Sequence, residues 1–248
     1  MHIQSYTLRV LTPPKDDVRQ AIKSSRLRLR EGAIVAISSK AVSIDEGACI
    51  PIKGTKKIAL ITREAEWYRH IPHARHKKYF TIARGVITGS AGIDESNGNG
   101  HYVLYPKDPF KSAQRLRVWL QKTYGVQNVA VVITDSKSET LRRGAIGFAL
   151  AWDGIDPLHD YRGEKDLFGR PMRIELANVI DALAASAVLV MGEVAERKPL
   201  VVMRGVPNIV FKNRSARLDQ LIVAPTDDLF APVLFNPRWK RGGNGRAR

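Results

Sequence analysis

Three acids in this chain stand at positions where side chains often do chemistry, next to the ends of regular elements. Asp94 lies in Ser90-Ala91-Gly92-Ile93-Asp94-Glu95-Ser96-Asn97, a polar, turn-rich segment extended by Gly98, Asn99 and Gly100. Asp135 follows the apolar run 129–133 and precedes Ser136. Glu193 follows Gly192 at the end of a stretch rich in Ala and Leu. A carboxylate is disfavoured at a helix C-terminus, which carries partial negative charge, and a bound divalent cation reverses that penalty. Hard oxygen donors with few histidines or thiols nearby suit Mg²⁺ or Mn²⁺ better than Zn²⁺. On spacing alone, the same residues would look no different as plain loop acids.

Other groups carry weaker signals. Arg142, Arg143 and Arg204 are each followed by glycine within one or two positions, and guanidinium groups beside flexible backbone suit phosphate or carboxylate. His70, His73 and His76 recur by threes, but Pro72 breaks the helical face that would align them on zinc, so an exposed loop is expected. No Walker A sequence and no Gly-x-Gly-x-x-Gly fingerprint is present, so a nucleotide would have to be held in another way.

The elements that must position these residues follow from periodicity and punctuation. Strands are expected at 6–10, 33–37, 81–88, 129–133, 145–152 and 200–203. Asp16 and Asp17 supply cap and first-turn acids for a helix running toward Leu29. A second helix is expected from 57 to 70. A third opens on Asp108-Pro109 and closes at Gly125, and a fourth runs from 178 to 191. Strands and helices mix without regular alternation, which predicts α+β. The organisation expected is a main domain at 1–236 and a basic disordered tail at 237–248, where five Arg and Lys residues mix with Gly and Asn.

The 248 residues carry a net charge of +16, which favours anionic partners. A single cysteine, Cys49, allows no internal disulfide, and the longest apolar stretch is too short for a bilayer. A soluble cytoplasmic protein is expected. A different class of reading is a basic nucleic-acid-binding module without catalysis. It accounts for the charge and the tail but not for the ordered acidic motifs; on the enzymatic reading the tail meets nucleic acid only non-specifically.

Taken together, these segments resemble the coenzyme F420-0:γ-glutamyl ligase family. The likeness runs through 91–97, Ile133-Thr134-Asp135, Arg143-Gly144-Ala145-Ile146-Gly147 and Asp160-Tyr161-Arg162-Gly163-Glu164-Lys165-Asp166-Leu167-Phe168-Gly169-Arg170. It continues through Ala182-Leu183-Ala184-Ala185, Leu189-Val190-Met191-Gly192-Glu193 and Arg204-Gly205, in the same order. The resemblance implies a two-lobed α+β fold and an intertwined homodimer with its site near the interface. It implies GTP or ATP as cosubstrate, two Mg²⁺ or Mn²⁺ ions and a K⁺ ion, with L-glutamate added to an F420-0-like or folate-like acceptor through an acyl phosphate.

Carried over by motif, Asp94, Asp135, Ser136 and Glu193 would hold metal, and Arg143 would serve catalysis beside the three acids. Leu11, Thr12, Pro13, Pro14, Ser39, Lys40, Asn97 and the run Leu189, Val190, Met191, Gly192 and Glu193 would contact the nucleotide. Arg142 and Arg204 would join Arg143 in holding the anionic acceptor and glutamate. Lys137-Ser138-Glu139-Thr140 stands where the family has Gly-Arg, and Ile44 stands where it has lysine. Both departures bring the chain nearer the folate-metabolism γ-glutamate ligase branch.

Overall fold

The unbroken apolar runs of the sequence become strands buried on both faces. In chain order the computed structural model comprises β1 (His2–Tyr6), α1 (Val18–Ser24), β2 (Ala33–Ser38), α2 (Ser39–Glu46), β3 (Cys49–Pro51), α3 (Lys57–Glu64), β4 (Trp67–His70), β5 (Tyr79–Ala83) and β6 (Val86–Gly89). There follow β7 (His101–Val103), α4 (Pro109–Tyr124), β8 (Val129–Ser138), β9 (Ala145–Asp153), β10 (Leu158–Asp160), β11 (Leu176–Asn178), α5 (Val179–Met191), β12 (Leu200–Arg204), α6 (Ala231–Leu234) and β13 (Lys240–Arg241). The structure describes residues 1–71, 79–213, 215–224, 227–234 and 240–243; His73 and His76 fall outside them.

The main sheet has the order β1-β12-β2-β8-β9. β2 and β8 run parallel, and the other neighbours are antiparallel. Ala33, Val35, Ile37, Val129, Val131 and Ile133 face a core completed by α1, α2 and α4. The intervening Ile34, Ala36, Ala130 and Val132 face a second core built largely on α5. Helices on both sides explain why neither strand alternates with polar residues. A smaller sheet, β13-β4-β5-β6, and the pair β3-β7 stand beside this body. The architecture is mixed α+β, and among the described residues no helix is long and apolar enough to cross a membrane.

Several expected boundaries move. The first strand is residues 2–6, not 6–10, because the chain leaves the sheet at Thr7 to bury Leu8, whose amide bonds Arg197 O at 2.9 Å. α1 starts after the Asp17 cap and stops at Ser24, short of Leu29; Arg26 then turns with φ of 56° and Leu27 is buried. The helix expected to reach residue 70 ends at Glu64, since Trp67–His70 pairs with β5 instead. The expected strand 81–88 is part of a hairpin turning at Arg84 and Gly85, both at positive φ as a two-residue hairpin loop requires.

α2 was not anticipated, although Ser38 caps its start and Gly47 closes it. β8 runs five residues past Ile133, so Asp135 lies within it rather than beyond it. The tail expected to be disordered is ordered over 240–243: Lys240 and Arg241 pair with Tyr68 and Trp67, and the amides of Gly242 and Gly243 bond Glu66 O and Thr62 O.

Candidate active site

A cavity of about 460 Å³ opens where β2 and β8 end, at the carboxyl ends of the parallel pair, where open sheets commonly seat ligands. The chain turns from β2 into α2 through Ser38, whose hydroxyl accepts from the Ala41 amide at 3.3 Å. That turn brings Ser39 and Lys40 and the positive end of the α2 dipole to one wall. α5 approaches from the other face and ends there with Met191, so its partly negative C-terminus forms the opposite wall with Gly192 and Glu193. The cavity thus has an anion-favouring end and a cation-favouring end.

Asp94 reaches this wall through backbone pairing: its amide and carbonyl bond Val103 at 2.9 and 2.8 Å. Its carboxylate meets Lys40 Nζ at 2.6 Å and accepts from the Ser96 amide and hydroxyl, each at 2.8 Å. Lys40 Nζ also donates to the Ser96 carbonyl and hydroxyl, both at 3.0 Å. Burial pushes the Asp94 carboxyl up, but the Lys40 ammonium and the Ser96 donors together carry it below its ordinary value.

Asp135 behaves oppositely. Burial pushes its carboxyl up to about 6 and the Asp94 charge adds to the rise, while the Ser136 amide and Tyr105 pull the other way. β9 carries one extra residue, Leu150, opposite the step from Ile133 to Thr134, a bulge of the kind found beside active sites. Ser136 donates to Glu193 Oε2 at 3.1 Å, joining two of the expected ligands. Asn97 donates to Val194 O at 2.8 Å and ties the Asp94 loop to the loop after α5. Gly192 has φ of 80°, and a side chain there would fall 2.2 Å from the Glu196 carboxyl carbon, so glycine is needed at that turn.

The structure brings Leu11, Ser39, Lys40, Asp94, Asn97, Asp135, Ser136, Met191, Gly192 and Glu193 to one cavity. Thr12, Pro13 and Pro14 lie off its lining; Asp16 accepts from the Thr12 amide at 2.8 Å and holds that loop. Leu189 is 83% exposed, and Val190 packs toward the α5 core. Arg142 and Arg143 are exposed on the β8–β9 loop, off the lining. Arg204 pairs with His2 at the opposite end of the sheet, which removes it from the acceptor contacts expected of it.

Val194, Ala195 and Glu196, the end of the segment expected to wrap the phosphates, line the cavity too, whereas sequence reasoning missed Arg9, Thr134 and 197–199. Arg9 gave no signal because its bidentate partner Asp16, at 2.7 and 2.8 Å, is seven residues away and obvious only in three dimensions.

Among the described residues no three acidic, histidine or cysteine side chains stand close enough to hold one ion, so the three acids share a cavity without closing on a point. The donors are nevertheless hard oxygens. The Asp94–Ser96 corner already holds a cation, the Lys40 ammonium, and burial disfavours the ionised form of Asp135 more than Lys40 and its hydrogen-bond donors favour it. Hard oxygen donors of this kind are the ones a divalent ion such as Mg²⁺ takes.

Residues 11–205 match the family described as F420-0:Gamma-glutamyl ligase. The chain belongs to this family. It is 33% identical over 250 aligned residues to the Coenzyme F420:L-glutamate ligase of Methanopyrus kandleri, covering 93% of this chain and 97% of that one. The proteins of the same name from Methanocaldococcus jannaschii and Archaeoglobus fulgidus are 32% and 34% identical. They cover 82% and 77% of this chain and 86% and 82% of their own lengths. The γ-glutamyl ligase match thus contains Asp94, Asp135 and Glu193, together with the elements that present them.

Proposed function

We propose that this chain is a γ-glutamyl ligase that uses GTP or ATP to join L-glutamate to a carboxylate on an F420-0-type acceptor. The observation that carries the reading is one cavity with an anion-favouring end at α2 and a cation-favouring end at α5, in a chain of this family. A carboxylate does not acylate an amine in water until one of its oxygens becomes a leaving group. In the proposed reaction an acceptor carboxylate oxygen attacks the γ-phosphorus, the bond to the β-phosphate oxygen breaks, and nucleoside diphosphate leaves. The glutamate nitrogen then attacks the acyl carbon, inorganic phosphate leaves with the bonding electrons, and the nitrogen gives up a proton.

Each residue has a task in this scheme. The α2 amides, Ser39 and Lys40 hold phosphate oxygens, and Asn97 fixes the facing loop. Asp94, Asp135, Ser136 and Glu193 would hold Mg²⁺ or Mn²⁺, which when bound neutralises phosphate charge. Arg142 and Arg143, exposed on the loop after β8 at the same end of the sheet, would meet an anionic acceptor. A homodimer is part of the proposal, as is a K⁺ site whose ligands the geometry leaves unassigned. The test is incubation with labelled L-glutamate, GTP or ATP, Mg²⁺ or Mn²⁺, and either F420-0 or a reduced folate. Glutamate-dependent release of nucleoside diphosphate and inorganic phosphate with F420-0 supports the reading, and release with folate alone reassigns the acceptor. No release with either overturns it.

A further inference from the structure

Ser90, Ala91 and Gly92 stand one after another in the left-handed region, with φ of 60°, 53° and 72°. For Ser and Ala that conformation is costly, and it persists only where the surroundings impose it. Here the Ala91 amide donates to Thr81 Oγ1 at 2.9 Å, and that hydroxyl donates in turn to Thr88 O at 2.6 Å. Thr81, Thr88 and Ala91 are all buried, so the turn is tied to the β5–β6 hairpin by polar groups that have no access to water. Two residues after this turn the chain reaches Asp94.

The turn makes room for Tyr105. A Cβ on Gly92 would fall 2.0 Å from Tyr105 Cζ, the ring carbon that carries the hydroxyl, so the phenol end lies against the bare glycine. Tyr105 is 4% exposed. Its backbone is fixed by the residues before it, since Val103 pairs with Asp94 and the Leu104 amide donates to Ala48 O at 2.9 Å. Its hydroxyl donates to the Asp135 carboxylate and meets the Thr88 hydroxyl. Asp94 and Asp135 line the cavity and Tyr105 does not, so the ring holds Asp135 from outside the lining. One buried side chain thus touches both the turn that carries one acid and the carboxylate of the other.

We propose that Tyr105 is a positioning residue: its hydroxyl fixes the orientation of the Asp135 carboxylate, and its ring, seated on the left-handed turn, sets Asp94 across the cavity from it. Groups behind a ligating carboxylate hold its oxygens in the direction the ion needs, and losing one typically weakens binding by 10- to 100-fold. That purpose rests on the metal part of the ligase reading; the contact between Tyr105 and Asp135 does not.

Two measurements on the full chain separate these layers. The first is a double-mutant cycle in urea with chelator present, using Tyr105→Phe, Asp135→Ala and both together. Tyr105→Phe keeps the ring and removes only the hydroxyl, so the two changes should be non-additive by about threefold or more in the unfolding constant. Additivity within about twofold overturns the contact and the proposal with it. The second is Mn²⁺ binding without nucleotide, followed by the paramagnetic resonance of the free ion. Tyr105→Phe should bind Mn²⁺ about tenfold more weakly than the parent, whereas a hydroxyl that only supports the fold would leave the affinity unchanged. Equal affinity in a parent that does bind overturns the positioning role alone; a parent that takes up no Mn²⁺ overturns the metal reading, and this role with it. Should Tyr105→Phe fail to fold, Thr88→Val removes the hydroxyl that Tyr105 meets and leaves the ring in place. It should weaken Mn²⁺ binding by about threefold, a smaller step than the tenfold expected at Tyr105, and an unchanged affinity there counts against the proposal in the same way.

Discussion

Replacing Asp135 by Asn should stabilise the metal-free protein while abolishing ligation. Burial lifts the Asp135 carboxyl from an ordinary 3.8 to about 6, so the folded state holds this proton more tightly than the unfolded chain does. Unfolding releases the proton, and stability therefore falls as pH rises through that interval, the loss being complete above the folded value. The difference corresponds to about 3 kcal/mol at neutral pH. Asn keeps the shape and cannot ionise, so Asp135→Asn should be nearly flat over the same range and more stable than the parent by up to about 3 kcal/mol near pH 7.5. Urea melts in chelator at about pH 4.5 and 7.5 measure this directly, read as midpoints at constant slope. Adding Mn²⁺ should then stabilise the parent more than the variant, because a ligand that binds only the native state adds stability by mass action. An Asn variant less stable than the parent near pH 7.5, or a parent whose stability rises from pH 4.5 to 7.5 with no such loss, refutes the reasoning.

Three further changes probe the frame. Gly92 has φ of 72°, and a Cβ there would fall 2.0 Å from the Tyr105 ring, so Gly92→Ala should cost about 2–4 kcal/mol; a melt within 0.5 kcal/mol of the parent, roughly the scatter of neutral surface changes, counts against it. Arg117 donates to Val129 O at 2.8 Å and pairs with buried Asp153 at 3.3 Å. Arg117→Ala strands that charge and should cost about 3–5 kcal/mol at neutral pH, and less in acid where Asp153 is protonated; equal losses at both pH values would exclude the charge argument. Removing residues 240–248 takes away β13 and the Arg241 guanidinium 4.7 Å from the Trp67 ring. Hydrogen exchange should quicken at Trp67 and Tyr68 and not in the main sheet, with ligation kept within a few-fold; a collapse of ligation would mean the small sheet shapes the site.

The parts of the fold legible in the sequence are those fixed by local pattern. Apolar runs at 33–37 and 129–133, short and rich in β-branched residues, read as strands covered on both faces, and Asp108-Pro109 with Gly125 brackets α4 because cap chemistry is local. Of the site, the three acids and Lys40 showed through motif and position. What stayed hidden depends on distance along the chain. Thr7 leaves the sheet because Arg197, far downstream, receives Leu8. Trp67–His70 abandons a helical period because β5 offers a partner, a tertiary override of local propensity. The basic tail looked disordered by composition, yet four of its residues gain order from the free edge of β4, which no compositional argument can see.

The cavity's charge also explains how a chain of net charge +16 can hold a site written in acids. Its lining contains Asp94, Asp135, Glu193 and Glu196 alongside Arg9, Lys40, Arg197 and Lys198, a balance the rest of the surface lacks. Arg9 is held by Asp16 and Arg197 by the Leu8 carbonyl, so neither moves freely to Asp135 or Glu193. An anion alone, drawn in by the positive surface, meets Lys40 and the α2 amides at one end and unpaired carboxylate at the other. A cation alone meets the reverse. Only a ligand carrying both signs at a fixed separation satisfies the two walls together, and a divalent ion coordinated by a phosphate chain is such a ligand. On the ligase reading, a cation alone relieves part of the penalty at Asp135 and the cation with its nucleotide relieves most of it, which ties the resting instability of the site to the complex that starts the reaction.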